Sequence, residues 1–160
     1  MRRGPGPWTF VVAGGLVAGT LDIVYAIVYW TIRAGLPARR ILQSVASGLL
    51  GEASFAGGAA TAALGLALHY GIAVSMAVAY YVVSRRVSAL VRAPLALGAA
   101  YGLFLYALMN YVIVPLSAAG AGSKERLWIV LSILVHAGFI GVPIALFSRR
   151  AHLAAGRRGP

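Results

Sequence analysis

The chain has no cysteine and only three acidic residues, and charged side chains make up 11% of its 160 residues. Without cysteine it has no disulfide, no covalently attached haem and no thiolate metal site. Soluble domains carry about 25% charged residues, so the composition also argues against a water-soluble fold. Hydrophobic residues make up 61% of the chain. These proportions indicate a single integral membrane domain.

Long apolar runs divide the chain into four membrane-length segments. We place the spans at about 8–32, 59–83, 94–116 and 127–147, each near the ~20 residues that cross a bilayer. Residues 1–147 then form one four-span domain, and residues 148–160 form a basic tail that we expect to be disordered. Trp8, Trp30 and Trp128 fall at span ends, where interfacial aromatic residues are common.

The segment after the first span is too short and too polar to cross a membrane. Pro37 is well placed to begin a helix, and the apolar and polar side chains that follow fall on opposite faces. The apolar face carries Ile41, Leu42, Val45, Leu49 and Leu50, and the polar face carries Arg40, Gln43, Ser44, Ser47 and Gly51. We predict an amphipathic helix over residues 38–50 that lies in the membrane interface. A re-entrant segment that dips toward the bundle is the alternative.

The predicted fold is therefore an all-α membrane protein with four transmembrane helices and one interfacial amphipathic helix after the first span. An even number of spans places both termini on one side of the membrane. Nine basic residues fall on that side and five on the other: Arg2, Arg3, Arg85, Arg86, Arg92, Arg149, Arg150, Arg157 and Arg158 against Arg33, Arg39, Arg40, Lys124 and Arg126. This bias predicts cytoplasmic termini. The partners that these loops indicate are anionic lipids of the bilayer, not nucleic acid.

Each span carries one polar residue near its middle, namely Asp22, His69, Asn110 or His136. At 1.5 Å per residue these lie roughly 16–24 Å from the cytoplasmic ends, in one band of a ~30 Å hydrocarbon core. Polar side chains at that depth usually face other polar groups inside a bundle, because they are costly in hydrocarbon. Tyr25, Tyr106 and Ser132 lie about one turn from members of this layer. We predict a buried site formed by the four and supported by these three.

Three hypotheses fit the polar layer. In the first, it binds a small polar ligand or a proton, with Asp22 as titrating group or counter-ion and the histidines as relays. In the second, His69 and His136 are the axial ligands of a haem, for which Gly65, Gly71, Gly138 and Gly141 make room. In the third, hydrogen bonds of the layer hold the bundle together without any ligand. Zinc would have only Asp22 as a third ligand of the usual kind.

Catalytic signatures do not support an enzyme. The sequence has no nucleophile elbow, no paired carboxylates and no metal-binding motif.

Small residues predict close helix packing. Gly15-x-x-x-Gly19 and Gly98-x-x-x-Gly102 permit close approach of neighbouring helices. The second span also carries a small-residue ridge, formed by Ala59, Ala63, Ala67, Gly71, Ser75 and Ala79. We expect the ridge to pack within the bundle, and a homo-oligomer contact is the alternative.

Three stretches resemble those of small uncharacterised bacterial inner-membrane proteins, loosely similar to the YagU-type family. They are residues 14–22 (GGLVAGTLD), 42–51 (LQSVASGLLG) and 109–117 (MNYVIVPLS). The resemblance covers most of residues 10–147. It implies a multi-pass protein of the bacterial inner membrane with a loose association with acid tolerance. It carries over no site residue, and this chain lacks the large polar insertion between the first spans of that family.

Overall fold

The protein is described here by a computed structural model that covers residues 5–120 and 122–156, and all regular structure in these ranges is helical. The helices are α1 (Pro7–Ala34), α2 (Ala38–Leu50), α3 (Gly58–Ser84), α4 (Ala89–Arg92), α5 (Pro94–Leu116) and α6 (Arg126–Gly156), with a 3₁₀ turn over Gly51–Ala56. Four of them, α1, α3, α5 and α6, are long and apolar enough to span a membrane. The predicted all-α fold with four spans is confirmed.

A sharp turn after α1 brings α2 back over the bundle. Pro7 begins α1, and Gly35 ends it in the left-handed conformation with φ 65°. The amide of Gly35 bonds to the Thr31 carbonyl, and the amide of Leu36 bonds to the Trp30 carbonyl. This pattern satisfies carbonyls that the last helical turn leaves free, and glycine adopts it without a Cβ penalty. Because Pro37 then precedes the first residue of α2, the two helices are joined within three residues.

Glycines set the closest helix contacts. A Cβ on Gly15 would lie 2.6 Å from Cα of Val74 in α3. A Cβ on Gly98 would lie 2.8 Å from Cβ of Ala145, and one on Gly102 would overlap the His136 carbonyl. Both glycine pairs therefore pack as predicted. Helix α1 packs against α3 and α6, and α5 packs mainly against α6, which leaves a groove between α3 and α5.

Two of the long helices widen into π-helix, over Met109–Ile113 in α5 and over His136–Gly141 in α6. Pro115 and Pro143 follow these segments closely. A proline removes one backbone hydrogen bond and pushes against the carbonyl four residues earlier. Here those carbonyls belong to Tyr111 and Phe139, both inside the π segments, which accounts for the local widening.

Helix α2 is present over the predicted residues, but its burial does not follow the predicted faces. Part of the polar face is turned toward protein, Ser44 of that face is exposed, and Ile41 of the apolar face is buried. Gln43 is only 3% exposed and Ser47 5%, whereas Leu49 is 64% exposed. The Gln43 amide donates to the Gly58 carbonyl at 2.9 Å and to Thr61 Oγ1 at 3.2 Å. An interfacial helix of the predicted kind would instead expose this face to water. The location of α2 in the interface stays a prediction.

The expected disordered tail is helical over most of its length. Helix α6 continues through Ser148 to Gly156, and Ser148 and Ala151 are buried. His152 Nε2 lies 2.8 Å from Ser84 Oγ at the end of α3. These contacts hold the segment against the bundle, which the basic composition of the tail did not indicate. Residues 157–160 lie outside the described residues, as do Arg2 and Arg3.

The small-residue ridge on α3 does not pack within the bundle. All six of its residues are exposed, and a Cβ on Gly71 would meet no atom within 4 Å. The expectation of intramolecular packing is therefore wrong. The opposite face of α3 makes the contacts with α1, through Ala73 and Val74.

Candidate functional site

The four mid-membrane polar residues line one cavity. This polar cavity has a volume of about 340 Å³ and receives Asp22 from α1, His69 from α3, Asn110 from α5 and His136 from α6. Ser132 also lines it. The other two supporting residues, both tyrosines, do not line it but contact residues that do.

Tyr25 and Tyr106 each contact a residue that lines the cavity. The hydroxyl of Tyr25 lies 3.3 Å from Ser132 Oγ. The ring of Tyr106 meets the imidazole of His136 edge-on, with 5.3 Å between ring centroids. Both tyrosines therefore position a lining side chain from α6.

A backbone carbonyl of α1 determines the protonation pattern of His69. Nε2 of this residue lies 2.8 Å from the Gly19 carbonyl oxygen. A carbonyl only accepts hydrogen bonds, so Nε2 carries the proton and donates it. The neutral imidazole is then left with an acceptor lone pair at Nδ1. This bond also joins α3 to α1 one turn away from Asp22.

His136 has the opposite tautomer for the same reason. Its Nδ1 lies 2.8 Å from the Ser132 carbonyl oxygen of its own helix. Nδ1 is therefore the donor, and Nε2 of the neutral ring is the acceptor. Asp22 lines the same cavity as this imidazole. Each of the two cavity-lining histidines, when neutral, thus keeps one acceptor nitrogen.

Asn110 and Asp22 add acceptor oxygens. Nδ2 of Asn110 donates to the Tyr106 carbonyl at 3.0 Å, which leaves its amide oxygen without a partner in the described part of the chain. No hydrogen bond to the Asp22 carboxylate occurs among the described residues, and an ionised carboxylate only accepts. Each of the four polar residues therefore contributes at least one unpartnered acceptor.

The lining groups are spread around the cavity. In residues 5–120 and 122–156, no three His, Asp or Glu side chains lie close enough together to hold a metal ion. Asp22, His69 and His136 thus do not converge on one point. This spacing suits a group of several atoms that reaches more than one wall.

The glycines of the haem hypothesis do not widen the cavity. Gly65 is packed against the Leu42 carbonyl and Gly141 against the Gly98 carbonyl, so both serve helix contacts. Gly71 and Gly138 face open space, and none of the four glycines lines the cavity. The haem hypothesis is therefore supported only by the presence of His69 and His136.

Aromatic rings form a further part of the cavity wall. Trp30 and Trp128 both line it. Trp128 stacks on Tyr25 with 5.1 Å between centroids and 7° between planes, and lies 5.2 Å from Trp30 and 5.0 Å from Tyr29. We call these four residues the aromatic cluster. Sequence reasoning gave the tryptophans only an interfacial role, although Tyr25 and Tyr29 sit one turn apart on the face of Asp22.

An ion pair and α2 lie at the same end of the bundle as the aromatic cluster. Nε of Arg33 donates to Glu125 Oε1 at 2.6 Å, which joins the end of α1 to the start of α6. Helix α2 contributes four residues to the cavity wall, namely Ile41, Ser44, Val45 and Gly48. The Gly48 carbonyl accepts a bond from the Ala118 amide at 3.0 Å, which ties α2 to the loop after α5. The predicted position of α2 in the membrane interface did not indicate that this helix would line a cavity.

None of the family models, curated proteins or solved structures compared with this chain matches it.

Proposed function

We propose that this membrane protein binds a small organic cation with several N–H donors, of the alkylammonium class, in the polar cavity. The observation that carries the proposal is the acceptor character of the lining. Asp22 offers carboxylate oxygens, His69 offers Nδ1 and His136 offers Nε2. An ammonium group has three donors and no acceptor, so it suits acceptors of this kind on whichever wall it reaches, with Asp22 as its charged partner.

Charge favours the same class of ligand. A carboxylate in a low-dielectric bundle is costly unless a positive group or hydrogen-bond donors face it. A primary ammonium beside Asp22 supplies both. An anion, or a molecule with acceptors only, would face the acceptor groups of Asp22, His69, Asn110 and His136 without supplying them a donor.

The aromatic cluster supports a cationic ligand independently. Cations are attracted to the faces of Trp and Tyr rings, and several rings together form the usual recognition site for ammonium groups. Trp30 and Trp128 line the same cavity as Asp22. A cation entering from that end of the bundle would pass these rings on its way to the carboxylate.

Local hydrogen bonds argue against a purely structural layer. His136 and Asn110 bond to carbonyls one turn away on their own helices, and so join no helices to each other. His69 alone of the four bonds to a different helix. Side chains that served only to hold the bundle would be expected to bond across it.

The test is a titration with ethylammonium, followed by tryptophan fluorescence in protein reconstituted into nanodiscs. Trp30 and Trp128 are the reporters, and a Trp8→Phe background removes the remaining tryptophan. We expect a saturable change with ethylammonium and none with acetate. Asp22→Asn should weaken binding by about tenfold or more, since each 1.4 kcal/mol corresponds to one decade.

Glu52→Gln is the matched control, because Glu52 is an exposed carboxylate that does not line the cavity. It should leave the ethylammonium affinity unchanged. Equal losses in the two variants, or equal responses to acetate and ethylammonium, would contradict the proposal.

We also propose a bacterial inner membrane as the location, with both termini in the cytoplasm. The nine-to-five excess of basic residues on the terminal side supports this orientation. The cavity reaches Ala119 in the loop after α5 and includes α2 in its wall. In this orientation the ligand would approach from the periplasmic side.

A further inference from the structure

A second space lies between α3 and α5, beside the polar cavity. This lateral groove has a volume of about 860 Å³, is open along its side and is mostly apolar. Ala67, Gly71, Ser75 and Ala79 of the small-residue ridge form one wall, and Phe104 and Leu108 lie on the other. In a membrane, a groove of this kind faces the acyl chains.

A single layer of side chains separates the groove from the polar cavity. Ile72 and Met76 of α3 and Met109 and Ile113 of α5 line both spaces. Methionine is unbranched and adapts its shape easily, and both α5 residues belong to the π segment of that helix. The two spaces are therefore neighbours across a thin and adaptable wall.

Resting on the proposed function, we infer that the ligand is a single-chain cationic amphiphile, with its ammonium head in the polar cavity and its alkyl chain in the lateral groove. Charge complementarity fixes the head, because the cavity offers a carboxylate and acceptor nitrogens. The apolar walls of the groove suit a chain and leave no partner for a second polar group. Both volumes fall in the range of about 300–1,000 Å³ that is typical of ligand sites.

The exposed ridge is better matched by a chain than by a second copy of the protein. Helices that pair through small residues bring their backbones together across a flat face. Here the central residues of the ridge form the wall of a concavity, with Phe104 of α5 opposite them. A partner helix would have to enter the groove past this ring, whereas an alkyl chain is narrow enough to lie along it.

The test compares dodecylammonium with ethylammonium in two matched variants. Gly71→Leu places a side chain in the groove, and Gly138→Leu places one on a face that lines neither space. A Cβ meets no atom within 4 Å at either position, so both variants should fold. Because partition into the bilayer raises the local concentration of the long amine for every variant, the comparison is made between variants.

We expect Gly71→Leu to weaken dodecylammonium binding by about tenfold, a loss of ~1.4 kcal/mol, and to leave ethylammonium binding unchanged. Gly138→Leu should change neither. A dodecylammonium probe with a diazirine at the chain end should label Phe104 and Leu108 more than Phe139. The comparison is matched, because Phe104 is 57% exposed and Phe139 is 54% exposed.

The two proposals fail in different ways. If ethylammonium binds and depends on Asp22, but dodecylammonium is indifferent to Gly71→Leu or labels Phe139 equally, the amphiphile inference is overturned and the proposed function stands. If neither amine binds, the proposed function is wrong, and the amphiphile inference that rests on it is wrong as well. Efficient disulfide dimers from Ser75→Cys in the membrane, with no labelling of Phe104, would assign the groove to a second copy and overturn the inference.

Discussion

At the scale of single residues, backbone carbonyls decide what the polar side chains offer. The Gly19 carbonyl accepts a hydrogen bond from His69 Nε2, and the Ser132 carbonyl accepts one from His136 Nδ1. Each bond leaves the other ring nitrogen as an acceptor. Two histidines that look equivalent in the sequence thus present different nitrogens, and differ in whether their bond crosses between helices.

This difference predicts unequal effects on stability. His69→Leu removes a bond between α3 and α1, so we expect it to lower the free energy of unfolding by about 0.6–2 kcal/mol. His136→Leu removes a bond within α6 and should cost less. Both should weaken ethylammonium binding. Reversible unfolding in mixed micelles provides the comparison, and a larger loss for His136→Leu would contradict the assignment of the interhelical bond.

At the scale of helices, α2 is the element whose observed contacts differ most from its predicted role. Gln43 and Ser47 face protein, and Leu49 faces outward. The close approach of the Leu42 carbonyl to Gly65 and the bonds from Gln43 hold α2 against α3. Buried polar side chains next to an exposed leucine, on a helix that also lines the polar cavity, suit a role of α2 as the wall of a site.

The absence of cysteine from the chain makes this arrangement directly testable. A single cysteine in place of Ser47 should resist a water-soluble maleimide in intact membranes, because Ser47 is buried against the bundle. Ser123→Cys in the exposed loop before α6 should react readily and serves as the matched control. Equal reaction at the two positions would indicate that α2 lies at the water interface and does not form part of the cavity wall.

At the scale of the whole molecule, the four long helices and α2 line a polar cavity that extends to Ala119 at one end of the bundle. Helix α2, the Arg33–Glu125 ion pair and the loop after α5 all lie at that end. The direction of ligand access therefore depends on which side of the membrane this end faces.

The excess of basic residues near the termini predicts that this end faces the periplasm. A phosphatase reporter inserted at Ser123 should be active, since it requires the oxidising periplasm, and one fused after residue 160 should be inactive. A cytoplasmic reporter at the same two points should give the reverse pattern. Activities in the opposite sense would place the opening of the cavity on the cytoplasmic side.

Local properties of the sequence were enough to predict the class of fold and four helices long and apolar enough to span a membrane. Hydropathy over ~20 residues and a rise of 1.5 Å per residue are local properties that need no knowledge of neighbours. The Gly15–Gly19 and Gly98–Gly102 contacts were predictable for the same reason, because a missing Cβ permits close approach wherever a helix lies.

Tertiary structure alone decided how those helices face one another. The burial of Gln43 and Ser47 in α2, the exposed ridge on α3 and the helical continuation of α6 all depend on which surface a neighbouring helix covers. The acceptor nitrogen of His69 likewise depends on a carbonyl of another helix, which the fold brings within 2.8 Å. Gly19 and His69 are 50 positions apart, and a periodic pattern along one helix contains no information about such a pairing. The bond of His136 to Ser132, by contrast, lies within one helix.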